Sequence, residues 1–91
     1  MKKMPRRDKL RIYGDLLSAL RSENSEKVVL THVQVRMNVP FDRLKNYISE
    51  IKELGLIEDE SSPKLTAKGK QFLQEYERIL DFMKQMGLAY N

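Results

Sequence analysis

The 91-residue chain contains no cysteine, no tryptophan and a single histidine. Without cysteine it has neither a disulfide framework nor a thiolate nucleophile, a composition that suits a reducing cytoplasm. One histidine supplies neither a histidine-rich metal site nor the parts of a catalytic triad. No apolar run approaches the roughly 18 residues of a membrane span, and no signal-peptide core follows the basic start. These absences argue against an enzyme and against a membrane protein.

The sequence also lacks the usual ligand-binding motifs. It has no glycine-rich phosphate loop and no pair of carboxylates arranged for acid–base chemistry. The consecutive acids Glu58, Asp59 and Glu60 fit a solvated turn better than a calcium loop. His32 has no second histidine or cysteine to share a metal, and Tyr13 lies at a helical spacing typical of packing. We therefore expect no metal, no cofactor and no small-molecule ligand.

The charge is distributed unevenly. The net charge is +4, but six of the first eleven residues are basic and one is acidic. The remaining eighty residues carry eleven bases and twelve acids, so that the body of the protein is close to neutral. A basic amino-terminal arm indicates an anionic polymer or surface as the partner. The alternative is a solvated end that only aids solubility.

Helical periodicity begins after Pro5. Apolar residues recur at spacings of three and four from Leu10 to Leu20, which predicts a first helix over about residues 6–22. Polar turn residues follow, and residues 27–30 read as a very short extended stretch.

Two further helices are predicted around a tight turn. Thr31 is the expected N-cap of a short second helix that ends near Met37. Asn38 tolerates the left-handed conformation that ends a helix. A third helix begins at Phe41 or at the preceding proline, and Gly55 ends it. Its apolar positions are Phe41, Leu44, Ile48, Ile51 and Leu54. Two helices joined in this way are typical of a helix-turn-helix.

The period changes after the third helix. Residues 56–58 and 64–66 read as two short strands, with residues 28–30 as a third partner in a small antiparallel sheet. Thr66 is the expected cap of a last helix that ends near residue 86. The element order is that of a winged helix-turn-helix, a mainly α (α+β) fold. The predicted organisation is an arm at residues 1–9, a winged helix-turn-helix domain at 10–66 and a C-terminal helix element at 67–91.

Four stretches of the sequence resemble small archaeal winged-helix DNA-binding regulators. Residues 11–17 resemble the first-helix signature with RIYGDLL, and residues 30–48 resemble the helix-turn-helix with LTHVQVRMNVPFDRLKNYI. Residues 54–57 and 65–73 resemble the strand entry and the end of the wing, with LGLI and LTAKGKQFL. The similarity extends over about residues 9–80. It implies a winged-helix fold, a DNA-binding role and often a homodimer through the last helix.

The chain departs from this pattern in two places. Relatives often have serine before the aromatic residue that opens the recognition helix, whereas this chain has Pro40, which offers neither a capping hydroxyl nor an amide. The predicted wing has Glu58, Asp59 and Glu60 with Lys64 as its only base. A wing that follows a phosphate backbone needs basic residues at its tip. We therefore expect that the wing tip does not touch DNA.

The outward face of the third helix carries the side chains expected to read bases. Arginine and asparagine pair bidentately with guanine and adenine edges, while lysine meets phosphate or guanine. Residues of the second helix are expected to contact phosphates. The predicted DNA-binding residues are Lys2, Lys3, Arg6 and Arg7 in the arm, Gln34 and Arg36 in the second helix, and Arg43, Lys45, Asn46 and Ser49 in the third. The alternatives are an ion pair for Arg36 and a solvated face on which Asp42, Glu50 and Glu53 nearly cancel the bases.

The last helix carries apolar residues at spacings of four, three, four and three, the seam of a coiled coil. A helix of about twenty residues is roughly 30 Å long and can extend beyond a small domain. The alternative is a single apolar face that serves only its own domain. The predicted dimer-interface residues are Phe72, Tyr76, Ile79, Leu80, Met83 and Met86.

The sequence therefore predicts a non-enzymatic, homodimeric winged-helix protein that binds double-stranded DNA. Its third helix, at about residues 41–54, would enter the major groove, and its role would be transcriptional regulation in the cytoplasm, associated with the nucleoid. Two alternatives stay open. One is a protein-interaction module within a larger complex, favoured by the acidic wing and opposed by the basic arm. The other is a chromatin-like protein that binds duplexes without sequence preference.

Overall fold

The computed structural model describes residues 8–23, 29–60 and 63–88. Four helices follow one another along the chain, namely α1 (Lys9–Ser22), α2 (Leu30–Met37), α3 (Phe41–Glu53) and α4 (Ala67–Gln85). The predicted arm cations Lys2, Lys3, Arg6 and Arg7 lie outside the described residues.

The helices share one hydrophobic core. α1 packs against both α2 and α4, and α2 packs against α3. The fully buried side chains of this core are Leu16, Leu17, Val33, Leu44, Ile51, Leu56 and Leu73. The mainly helical architecture and the order of its elements agree with the predicted winged helix-turn-helix. The arrangement leaves one long side of α3 facing outward.

Helix α1 begins later than the periodicity predicts. The Asp8 carboxylate accepts a hydrogen bond from the Arg11 amide at 3.0 Å and caps the helix. Helical geometry therefore starts at Lys9 and not near residue 6, because the capping side chain satisfies an amide that has no partner within the helix. The helix ends at Ser22, as predicted.

The start of α2 also differs from the prediction. Thr31 is not its N-cap, because the helix already begins at Leu30, behind an extended Val29 that makes no side-chain cap. Leu30 packs against the core, and this packing places the helix start without a capping hydroxyl. The predicted third strand is wrong at Leu30, which lies in α2; Val29 is extended as predicted but forms no β-bridge, and residue 28 lies outside the described residues. Among the described residues, the only β-bridge joins Ile57 to Leu65.

The turn between α2 and α3 follows the prediction. Asn38 has φ 57° and ψ 50°, the left-handed conformation, and its amide donates to the Gln34 carbonyl at 2.8 Å. Pro40 is extended, and α3 begins at Phe41. Leu44, Ile48 and Ile51 face inward as predicted, whereas Phe41 and Leu54, at the two ends of the apolar stripe, are 40% and 45% exposed. Both lie at an end of α3, where the neighbouring helices no longer cover the stripe.

A short hairpin links α3 to α4. The Glu58 amide donates to the Lys64 carbonyl at 2.9 Å, and the Thr66 amide donates to the Leu56 carbonyl at 3.0 Å. The Thr66 hydroxyl accepts from the Gly69 amide at 3.0 Å, which confirms the predicted cap of α4. The same hydroxyl donates to the Gly55 carbonyl at 2.6 Å. Thr66 thus ties the end of α3 to the start of α4.

Candidate nucleic-acid interface

The outward side of α3 carries most of the side chains predicted to read bases. Leu44, Ile48 and Ile51 are buried against the rest of the domain. Helical geometry turns the intervening residues away from that core at about 100° per residue. The exposed residues of this outward side are Asp42, Arg43, Lys45, Asn46, Lys52 and Glu53, and Ser49 is half-buried among them. The structure therefore brings Arg43, Lys45, Asn46 and Ser49 together on one side of the helix.

Arg43 and Lys45 on this side form no ion pair within the part of the chain that the structure describes. In the described part of the chain, no carboxylate oxygen lies within 4.0 Å of the charged group of Arg43 or Lys45. Asn46 is exposed beside them, with amide groups that can both donate and accept. The three side chains are thus open to an external anion or to the edge of a base.

Glu50 of α3 does not pair with these cations, because its carboxylate is bound by two side chains of α1. Its carboxylate accepts hydrogen bonds from the Lys9 ammonium at 2.8 Å and from the Tyr13 hydroxyl at 2.5 Å. The bond to Lys9, followed by the bond to Tyr13, lowers the pKa of the Glu50 carboxyl. The carboxylate therefore stays charged and paired at neutral pH, and this contact is lost only in acid, as the pH falls through that lowered pKa.

The same cluster fixes the start of α1 to the side of α3. The hydrogen bond to Glu50 raises the pKa of Lys9, while burial and then the bond to Glu50 raise the pKa of the Tyr13 hydroxyl. The Lys9 ammonium also lies 5.4 Å and 5.8 Å from the ring centres of Tyr13 and Tyr47. We call Lys9, Tyr13 and Glu50 the α1–α3 clamp. It holds the first residue of α1 against α3.

The two predicted residues of α2 lie beside the turn. Gln34 is half-buried and lines a groove of about 420 Å³ with Val35, Asn38, Val39 and Pro40. Arg36 is exposed, with its guanidinium 3.5 Å from the Ser22 hydroxyl. Within residues 8–23, 29–60 and 63–88 it meets no carboxylate within 4.0 Å.

The predicted dimer residues of α4 divide into two groups. Tyr76 is buried, its ring covers Gly14, and its hydroxyl donates to the Asp15 carboxylate at 3.0 Å. Phe72 and Leu80 pack against the same core. These three side chains pack on their own domain, Tyr76 fully and Phe72 and Leu80 with part of their surface still exposed.

The remaining positions form an apolar strip near the end of α4. Ile79, Phe82 and Met86 are 37%, 58% and 56% exposed, and Met83 lies half-buried beside them. We call these four residues the α4 seam. Sequence reasoning missed Phe82, although its spacing of three from Ile79 and four from Met86 is the signal that finds it.

The wing is acidic and exposed. Glu58, Asp59 and Glu60 all face solvent. His32 lies outside this wing, with its Nδ1 3.6 Å from a Glu23 carboxylate oxygen.

The described residues contain no group of three or more histidine, cysteine, aspartate or glutamate side chains placed to hold a metal ion. None of the described helices combines the length and the hydrophobicity that a membrane crossing requires.

Comparison with known proteins identifies the fold family. A family model described as winged helix-turn-helix matches residues 6–84, which is most of the chain. Searches of curated proteins and of solved structures gave no match. The family match agrees with the helix order, the left-handed turn at Asn38 and the hairpin before α4. The chain therefore belongs to the winged helix-turn-helix family, whose fold binds DNA.

Proposed function

We infer that this protein is a homodimeric, non-enzymatic regulator of transcription that binds double-stranded DNA and inserts α3 into the major groove. The observation that carries this proposal is the exposed group of Arg43, Lys45 and Asn46, which lies opposite the buried face of α3 and, among the described residues, forms no ion pair with an acid. A protein with this role works where the genome lies, in the cytoplasmic nucleoid.

The side chains divide into those that position the protein and those that read sequence. Asn46 and Arg43 are the groups with bidentate geometry for adenine and guanine, and Ser49 lies one turn further along the same side. Gln34 and Arg36 belong to α2, the first helix of the helix-turn-helix, and the first helix of such a motif crosses the phosphate backbone. Phosphate contacts supply most of the affinity, and base contacts supply the discrimination.

The basic arm adds phosphate contacts beside α3. Its predicted contacts are Lys2, Lys3, Arg6 and Arg7. The α1–α3 clamp holds the first residue of α1 against α3, so that the chain before Asp8 starts at the edge of the proposed interface. Seven residues span at most about 25 Å when extended, which is enough to reach an adjacent groove.

A second copy of the chain is the proposed occupant of the α4 seam. Beyond Tyr76, Leu80 packs partly on the core, whereas the α4 seam presents apolar side chains at coiled-coil spacing with much of their surface exposed. A chain of this size buries only about two thirds of its unfolded surface, so pairing adds stability. Two-fold symmetry then presents two copies of α3 to half-sites about one helical turn, or a multiple of it, apart.

Removal of residues 1–7 is expected to weaken binding to every duplex and to flatten the dependence of affinity on salt. The slope of log affinity against log salt loses about 0.9 for each phosphate contact removed. This truncation keeps Asp8, the cap of α1, and Lys9, which belongs to the clamp. The measurement is a titration of duplex DNA at several salt concentrations, with Lys70→Ala on the exposed side of α4 as the control.

The titration tests both the proposed DNA binding and the role of the arm. Absence of duplex binding at low salt would overturn the proposed function. An unchanged slope after truncation would remove the arm from the interface, as would an equal change in the Lys70→Ala control.

The acidic wing supports a second candidate, a winged helix that binds another protein. Glu58, Asp59 and Glu60 are exposed, and a phosphate backbone repels them. This candidate predicts no duplex binding at any salt concentration. Equal affinity for all duplex sequences would instead indicate the chromatin-like alternative.

A further inference from the structure

Phe41 is an aromatic residue that the core of the domain does not use. It is the first residue of α3 and is 40% exposed, whereas Leu44, one turn later, is fully buried. Its ring belongs neither to the buried core cluster nor to the apolar side chains packed against that cluster. The Lys45 ammonium lies 5.9 Å from its ring centre. An apolar ring with a cation beside it therefore stands at the edge of the proposed interface.

Phe41 lies in the first turn of α3, on one flank of its outward side. Glu50 lies nine positions after Phe41, which at about 100° per residue puts the two on opposite flanks of the helix. The α1–α3 clamp closes one flank, Phe41 and Lys45 form the other, and Asn46 lies between them. Side chains in the first turns of a recognition helix are those that approach base edges.

We propose that Phe41 recognises the C5-methyl group of a thymine in each half-site. This inference rests on the proposed function. The thymine methyl is the apolar group that a base pair presents in the major groove, and phenylalanine is a side chain suited to contact it. Lys45, held beside the ring, then meets the adjacent phosphate or guanine. The pair would favour thymine over cytosine, which presents an amino group and no methyl at the same edge.

Deoxyuridine separates the methyl contact from every other feature of thymine, because it removes that methyl group and keeps the base pairing. The test uses a duplex selected by the wild-type protein from a random library, in which each thymine is replaced singly by deoxyuridine. We expect one position per half-site to weaken binding about fourfold, the value of one buried methyl group. In Phe41→Ala the same replacement is expected to have no effect, and in Phe41→Leu it keeps a reduced effect.

Val35→Ala is the matched control. Val35 is the most exposed large apolar side chain described, at 78%, and it lies on α2 near the same turn. This variant is expected to keep the full fourfold effect of deoxyuridine. Circular dichroism and thermal unfolding establish that each variant is folded, and Phe41→Leu preserves the apolar volume if Phe41→Ala does not fold.

The outcomes separate the two proposals. A wild-type protein that selects a duplex but is insensitive to deoxyuridine at every thymine overturns the methyl contact and leaves the proposed function in place. Retention of the full deoxyuridine effect in a folded Phe41→Ala variant also overturns it. If no duplex sequence is selected, both proposals fail.

Discussion

A Phe82→Glu, Met86→Glu double variant is expected to be monomeric and to bind a duplex with two half-sites about 100- to 1,000-fold more weakly than the wild type. Two carboxylates in an apolar strip would have to be desolvated against a second copy, which costs several kcal/mol for each unpaired charge. Once the copies separate, the second half-site no longer binds as an intramolecular event, and the gain from linked binding is lost. Sedimentation at tens of micromolar and titration of the duplex measure the two effects.

Two glutamines of α4 outside the seam provide a matched control for the effect of added charge. Gln71→Glu, Gln74→Glu adds the same charge at two exposed positions of α4 outside the seam. This variant is expected to remain dimeric and to lose only a few-fold in affinity. A duplex with a single half-site is expected to bind wild type and seam variant almost equally. A wild-type protein that sediments as a monomer would contradict the proposed dimer, as would a seam variant that stays dimeric.

Replacement of Gly69 by alanine is expected to lower the free energy of unfolding by about 3 kcal/mol, the upper end of the usual cost of overpacking. A Cβ atom at this position would lie 2.0 Å from the Leu56 carbonyl oxygen and 3.0 Å from its carbon. Both atoms belong to the backbone, so no change of side-chain rotamer relieves the clash. The start of α4 must then move away from the hairpin, which strains the hydrogen bonds of Thr66.

Denaturant unfolding measures this effect directly. Small domains have about 5–15 kcal/mol of total stability, so a loss of this size is a large fraction of it. Lys70→Ala, at the next and exposed position of α4, is expected to change stability by less than about 0.5 kcal/mol. A Gly69→Ala variant as stable as this control would show that α4 does not approach Leu56 as closely as described.

The parts of the fold that were predictable from the sequence are those that local chemistry decides. The left-handed turn at Asn38 and the cap at Thr66 depend on one side chain and its own backbone, and both were confirmed. The start of α1 was misplaced because periodicity alone does not weigh the capping strength of Asp8. Thr31 was wrong as a cap because packing of Leu30 overrode the hydroxyl preference.

The candidate site was harder to predict because its electrostatics depend on residues that are distant in sequence. Glu50 seemed to offset the bases of α3, yet its partner Lys9 lies 41 positions earlier. Tyr76 was assigned to a dimer because an apolar stripe has the same spacing whether it packs on its own domain or on a second copy. Only the position of α1 decides between the two, by placing Gly14 under the Tyr76 ring.

Selection of duplexes from a random library by the wild-type protein and by Asn46→Ala tests most directly whether α3 reads bases. The wild type is expected to enrich a sequence with two related half-sites. Asn46→Ala is expected to lose the preference for one adenine in each half-site, a discrimination worth about 1–3 kcal/mol. The base preferences at the other positions are expected to stay unchanged. Gln74→Ala on α4 is the control and should enrich the wild-type sequence. Enrichment of no sequence, or of an identical sequence by Asn46→Ala and wild type, would contradict the account.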